Sequence, residues 1–195
     1  MRILCYQKPP CTEQDALILD RAAHKKHLLR KLLLWDILLF AALGILGPLL
    51  HNAAQLPIPL LRFFVPVNES VWEHLKLLFV PAFLVTMLRR LCTGHLQRGI
   101  LTTFAQGLLL SMVLMTVGFY TYSGILGGNS HIANITLFYL CSLFLTLWVH
   151  VRSSGQKKSS LSGLLILLLL AGCFVYFTLY PPDLAIFTDF SQSLQ

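Results

Sequence analysis

Five stretches of the chain are continuously apolar: Leu32–Leu50, Val71–Leu91, Ile100–Tyr120, Ile132–Val151 and Leu161–Tyr180. A helix needs about 20 mostly apolar residues, at a rise of about 1.5 Å each, to cross a hydrocarbon core of about 30 Å. Each stretch meets that length, and none has the period-two alternation of a barrel strand. The pattern predicts an all-α integral membrane bundle of five transmembrane helices. Residues 1–31 precede it as a basic segment, residues 51–70 form a proline-rich connection, and residues 181–195 form a polar tail.

Composition agrees with that pattern. The chain is 56% hydrophobic and 12% charged, with a mean hydropathy of +0.71. Soluble domains carry about 25% charged residues. The deficit excludes an ordinary soluble enzyme, a disordered chain and a disulfide-stapled secreted module.

Charge then orients the bundle. All but Arg62 and Lys76 of the 15 Lys and Arg residues fall on one side of the five spans: before the first, between the second and third, and between the fourth and fifth. Basic loops are retained in the cytoplasm, so the N-terminus reads as cytoplasmic and the C-terminus as outside. The net charge of +7 then signals topology and contact with the lipid bilayer, in particular anionic inner-leaflet lipid. No soluble basic domain is present to bind nucleic acid, and no feature identifies a protein partner. Met1–Gln14 has no apolar core, so the first span reads as an uncleaved anchor rather than a signal peptide. Cys5, Cys11, Cys92, Cys141 and Cys173 form no CxxC pair, and no two fall on the outer side, which argues against a disulfide framework.

Between the spans, Thr12–Lys31 reads as a helix along the inner surface, with a Thr12–Asp15 cap and acidic residues preceding basic ones. His51–Ser70 combines Pro57, Pro59 and Pro66 with Leu56, Ile58, Leu60, Leu61, Phe63, Phe64 and Val65. Those prolines forbid one continuous helix, yet the segment is too apolar for an aqueous loop. It reads as an interfacial or re-entrant cap, with Arg62 reaching the headgroups. Gly44, Gly47, Gly118, Gly124, Gly127 and Gly128 permit close helix packing, and Leu164–Leu170 reads as a plain lipid-facing anchor.

Candidate chemistry gathers at the outer start of the second span, Pro66-Val-Asn-Glu-Ser-Val-Trp-Glu-His-Leu-Lys76. Charges within spans are costly and mark function. Ser70 and Glu73 fit a capping box, in which the carboxylate returns to the Ser70 N–H. On a helical wheel at about 100° per residue, Glu69, Glu73 and Lys76 share one sector and Ser70 and His74 the next. The predicted topology adds His51 and Asn52 from the first span, Tyr120, Tyr122 and Ser123 from the third, and Asn129, His131 and Asn134 from the fourth. Glu73, His74 and Glu69 are therefore the catalytic candidates. His51, His74 and His131 are candidates for a divalent metal such as zinc, and Asn68, Ser70, Lys76, Tyr120 and Asn134 complete the polar pocket. At the inner side, Asp36 is expected to pair with Arg89, Arg90 or Arg98.

Glu and His side chains from separate helices can form a catalytic zinc-type site with an open water position. No HExxH pair occurs, and a metal-free acid/base pair or a proton-coupled site suits the same residues. The pocket is thus compatible with a membrane-embedded hydrolase or a metal- or ligand-binding site. The alternatives are a non-enzymatic accessory or scaffold protein, in which this segment only locks the second helix, and a proton-coupled small-solute transporter.

The segment Pro66, Val67, Asn68, Glu69, Ser70, Trp72, Glu73, His74 and Lys76 resembles the P-V-N-E-S-x-W-E-H-x-K signature of a family of small, uncharacterised bacterial multi-pass membrane proteins. Pro181, Pro182, Phe187 and Asp189 resemble the tail of that family. The resemblance implies a bacterial cytoplasmic membrane location and supports the choice of site, but implies no activity.

Overall fold

The computed structural model describes residues 13–93, 99–153 and 160–189. Among them are five helices and no strand: α1 Glu13–Ala53, α2 Val71–Thr93, α3 Ile100–Leu126, α4 His131–Ser153 and α5 Ser160–Leu179. Short 3-10 turns cover Pro59–Phe63 in the connection before α2 and Ala185–Phe187 in the tail. Thr12, Cys5, Cys11, Arg98, Lys157 and Lys158, on which several expectations rest, lie outside the described residues.

Among the described residues, four helical stretches are long and apolar enough to cross a membrane: Arg30–Ala53, Ile100–Leu126, His131–Arg152 and Leu161–Leu179. Helix α2 differs in burying Glu73, Lys76 and Arg89 along its length. The expected surface helix and first span fall in a single helix, α1. No glycine or proline interrupts the chain from Glu13 to Leu43, and Leu, Arg and Lys are all good helix formers. The chain nevertheless divides into two compact units, residues 1–34 and 35–195. The second contains every interaction described below.

Helix α3 is the centre of that second unit, packed against α4, α5 and α2. Its buried residues include Phe104, Leu108, Ser111 and Met112. The Ser111 hydroxyl donates to the Gly107 carbonyl one turn back, so burial leaves it satisfied. Large apolar side chains also face outward: Leu169 on α5 is 71% exposed and Ile132 on α4 79%. Such surfaces suit a membrane protein.

Helix α5 is more than the plain anchor its composition suggests. At Gly163 a Cβ would lie 2.2 Å from the Thr102 backbone nitrogen, so α3 and α5 touch backbone to backbone. The Thr102 and Ser162 hydroxyls, 3.2 Å apart, bond across the same crossing. Leu167 and Phe174 are buried, and Thr178 enters a charged cluster on α2. Hydropathy alone hid this, because one glycine and one threonine barely alter the mean. Of the glycines expected to aid packing, Gly44, Gly47 and Gly118 do face α4 side chains, whereas a Cβ added at Gly124, Gly127 or Gly128 would meet nothing within 4 Å. Gly127 instead ends α3 in the left-handed region, at φ 70°.

Candidate functional site

The site starts from how α2 begins. Asn68 Oδ1 accepts the Ser70 N–H at 3.1 Å, closing an Asx-type turn before the helix. Ser70 Oγ then accepts the Glu73 N–H at 3.3 Å, the expected N-cap bond. The return half of the capping box is different. Asn68 already occupies the Ser70 N–H, so the Glu73 carboxylate accepts the Val67 N–H instead, at 2.9 Å. Because α2 starts at Val71, the 100° step does not extend back to Glu69. This corrects the wheel that grouped Glu69 with Glu73 and Lys76.

Glu73 and Lys76 form a closed unit. Glu73 is 4% exposed and Lys76 0%. The Lys76 ammonium donates to Glu73 Oε2 at 2.6 Å, to Thr178 Oγ1 at 2.6 Å and to the Arg62 carbonyl at 3.1 Å. These three acceptors use all three of its protons. Glu73 Oε1 lies 3.1 Å from the Thr178 hydroxyl. The ion pair thereby ties α2 to α5 and to the turn that precedes α2. Nearby, Trp72 packs against Phe174 and Phe177 of α5 and against Phe187 of the tail, with ring centroids 4.9–5.4 Å apart.

Glu69 and His74 turn the other way, towards the end of α1. His51, Glu69 and His74 each offer a ligand atom, and those atoms lie within 4.8 Å of one another. His74 Nδ1 is 2.9 Å from the Ser70 carbonyl, which can only accept, so Nδ1 carries a proton. Its other nitrogen, Nε2, faces Glu69 Oε2 at 3.3 Å. In the neutral ring Nε2 is a lone pair opposite a carboxylate oxygen, an arrangement that requires a proton or a cation between them. The His51 ring lies 5.3 Å from the His74 ring, centroid to centroid. Its Nδ1 is buried without a hydrogen-bond partner among the described residues. The three side chains stand at the head of a cavity of about 340 Å³ bounded by α1, α2, α3, α4 and the connections before α2 and α4.

This geometry lies within a sequence region shared with other proteins. Residues 24–193 match DUF6512, described as a family of unknown function. The chain belongs to that family. No curated protein and no solved structure matches it. The DUF6512 region includes all three clustered residues and the whole cavity wall.

Within the DUF6512 region, the other expected residues separate by position. His131 lines the cavity wall but is not part of the His51–Glu69–His74 group. Asn134 lines the wall too, and its Nδ2 donates to Asn129 Oδ1 at 2.8 Å while the Tyr122 hydroxyl meets Oδ1 of both asparagines. Tyr120 packs edge-on against Phe119 and does not line the cavity. Asn68 and Ser70 shape the helix start, and neither lines the wall. Glu73 and Lys76 are likewise absent from it.

At the far end of α2, Asp36 pairs with Arg89 at 2.6 Å, as one of its expected partners. The other carboxylate oxygen meets His150 of α4 at 2.7 Å, which sequence reasoning missed. Thr178 was missed as well. Its one sequence signal is a hydroxyl in the otherwise apolar and aromatic run Phe174–Leu179, whereas no local pattern links Asp36 to a residue more than a hundred positions away.

Proposed function

We propose that this chain is a multi-pass membrane protein of five crossings that binds a divalent metal of the zinc class through His51, Glu69 and His74. Three protein ligands at the head of the cavity would leave such a metal a position for water, as in metal-dependent hydrolases. The observation that carries this reading is the His74 ring. Metal-ligating histidines typically donate their second ring N–H to a backbone carbonyl or carboxylate, as Nδ1 does to Ser70. The 3.3 Å between Nε2 and the Glu69 oxygen also matches the edge of a tetrahedron with bonds of about 2.0–2.1 Å. A buried ring nitrogen without a partner, as at His51, costs about 1–3 kcal/mol. Coordination is one way to recover that cost.

A metal held there would polarise a carbonyl and lower the pKa of a bound water towards about 7. The chain's own residues divide the remaining tasks. His51, Glu69 and His74 would hold the ion, and His131 stands on the wall outside the group. Glu73 does not touch the site and serves the stability of the helix start, through the Val67 N–H and the Lys76 ammonium. The distribution of basic residues favours a cytoplasmic N-terminus, with the site at the outer face. The likeness to bacterial membrane proteins favours a bacterial cytoplasmic membrane.

Metal analysis of the full chain purified in detergent tests the reading. Wild type should hold about one equivalent of zinc or take it up on titration, and His74→Ala and His51→Ala should each lose it. Wild-type protein that neither holds nor takes up a divalent metal would overturn the proposal.

A further inference from the structure

The cavity has a polar head and an apolar body. Its histidines, asparagines and Glu69 come from helix ends and the connections between helices. Further along each helix the wall becomes apolar. Leu77 follows His74 by three residues on α2, Met115 precedes Phe119 by four on α3, and Phe138 follows His131 by seven on α4. At 1.5 Å per residue, Leu77 and Phe138 lie about 4.5 and 10 Å deeper than those histidines, and Met115 about 6 Å deeper than Phe119. The exception at depth is Tyr139, whose hydroxyl donates to the Gly44 carbonyl at 3.2 Å and so is not presented to a ligand. A volume of about 340 Å³ is within the usual range for small-molecule sites.

The cavity also borders the apolar exterior. Ile135 lines it while remaining 57% exposed, and Pro48 both lines it and is exposed. These residues lie on α4 and α1, so that flank offers entry from lipid. An ordinary water-soluble metabolite would leave the deep apolar wall unmatched, while a hydrocarbon would leave the polar head unmatched.

We infer that the cavity takes a single-chain acyl amphiphile from the bilayer, an ester or amide with its carbonyl at the polar head and its chain along Leu77, Met115 and Phe138. This inference rests on the metal-site reading and names its substrate class. The reaction is hydrolysis: a water oxygen bonds to the acyl carbon, and the bond from that carbon to the leaving oxygen or nitrogen breaks. One proton of the water passes to the leaving group, and the products are a carboxylic acid and an alcohol or amine. No redox partner is required.

Two hydroxamates with the same metal-binding head test it on the zinc-loaded full chain: acetohydroxamate and decanohydroxamate. Both are measured in the same micelles, so partitioning into detergent cancels between variants. Ile135→Trp fills the apolar flank at an exposed position, and Met115→Trp fills the interior. Either substitution should leave the zinc content and acetohydroxamate affinity unchanged, yet weaken decanohydroxamate by at least about tenfold, the loss of roughly two buried methylenes. The exposed Ile135 variant keeps the test valid should Met115→Trp fail to fold. Zinc-bound protein in which folded Ile135→Trp affects both probes equally, or neither, would overturn the amphiphile inference and leave the metal site standing. Wild type without zinc would overturn both.

Discussion

Glu69 and Glu73 are four residues apart at the start of one helix, yet they occupy opposite kinds of site. Glu73 is buried, and its oxygens meet the Val67 N–H, the Lys76 ammonium and the Thr178 hydroxyl. The Glu69 side chain is 52% exposed and faces one imidazole at the head of a cavity. A buried carboxylate already bonded to an ammonium and a backbone N–H has little capacity left for a ligand. One with open directions beside two imidazoles has that capacity. The difference comes from the backbone, since Glu73 lies in the first turn of α2 and Glu69 in the turn that precedes it. Stability and chemistry are thus assigned to neighbouring carboxylates.

The largest expected effect breaks the closed half. Lys76→Met leaves Glu73 buried and without its cation, a change that costs about 3–5 kcal/mol in buried pairs. Its unfolding midpoint in detergent should fall well below that of wild type. Adding Glu73→Gln should regain much of the loss, because the uncompensated charge is then gone. The fraction of Lys76→Met that remains folded should still take up zinc. Loss of zinc from folded Lys76→Met would mean that the two carboxylates work as one site.

A second substitution sharpens the comparison from a distance. Gly163→Ala places a methyl against the backbone of Leu101 and Thr102, whose atoms stand 2.2–2.5 Å from the added carbon. Backbone cannot swing aside as a side chain does, so α5 must move away from α3, at a cost of about 1–3 kcal/mol. Helix α5 supplies Thr178 to the Glu73 cluster but no residue to the cavity wall. The unfolding midpoint should therefore drop while zinc content per folded chain stays level. Loss of zinc from folded protein would show that α5 supports the metal site.

The helices were easy to read in the sequence because each is written in a run of about 20 neighbouring residues. The start of α2 was partly legible. Ser70 as N-cap follows from local spacing, but the partner of the Glu73 carboxylate depends on whether Asn68 has already taken the Ser70 N–H. The gathering of His51, Glu69 and His74 was only half legible. Topology places His51 and His74 at one end of the bundle, but it places His131 there too, and it cannot rank distances of a few ångströms. The long-range bonds were least legible. His150 meets Asp36 and Thr178 meets Lys76 across more than a hundred residues, and such pairs are fixed by packing rather than by local pattern.

The smallest stability change is expected at Glu69, and it divides the two carboxylates most sharply. Glu69→Gln keeps the shape and removes the charge from a side chain that is half exposed, so stability should stay within about 0.5 kcal/mol of wild type. Zinc affinity should nevertheless fall by more than the roughly 10–100-fold that loss of an indirect partner of a ligand costs, because a neutral amide replaces an anionic ligand. Glu73→Gln should give the reverse pattern, with an appreciable drop in the unfolding midpoint and zinc retained by the folded fraction. Titrating both variants with zinc beside thermal unfolding gives two numbers for each. Should the two substitutions fall on one line, stability and zinc affinity declining together, Glu69 would be only another strut of the helix start. If they fall on separate axes, the turn before α2 divides the carboxylates by role, and Glu69 is the one left for a ligand.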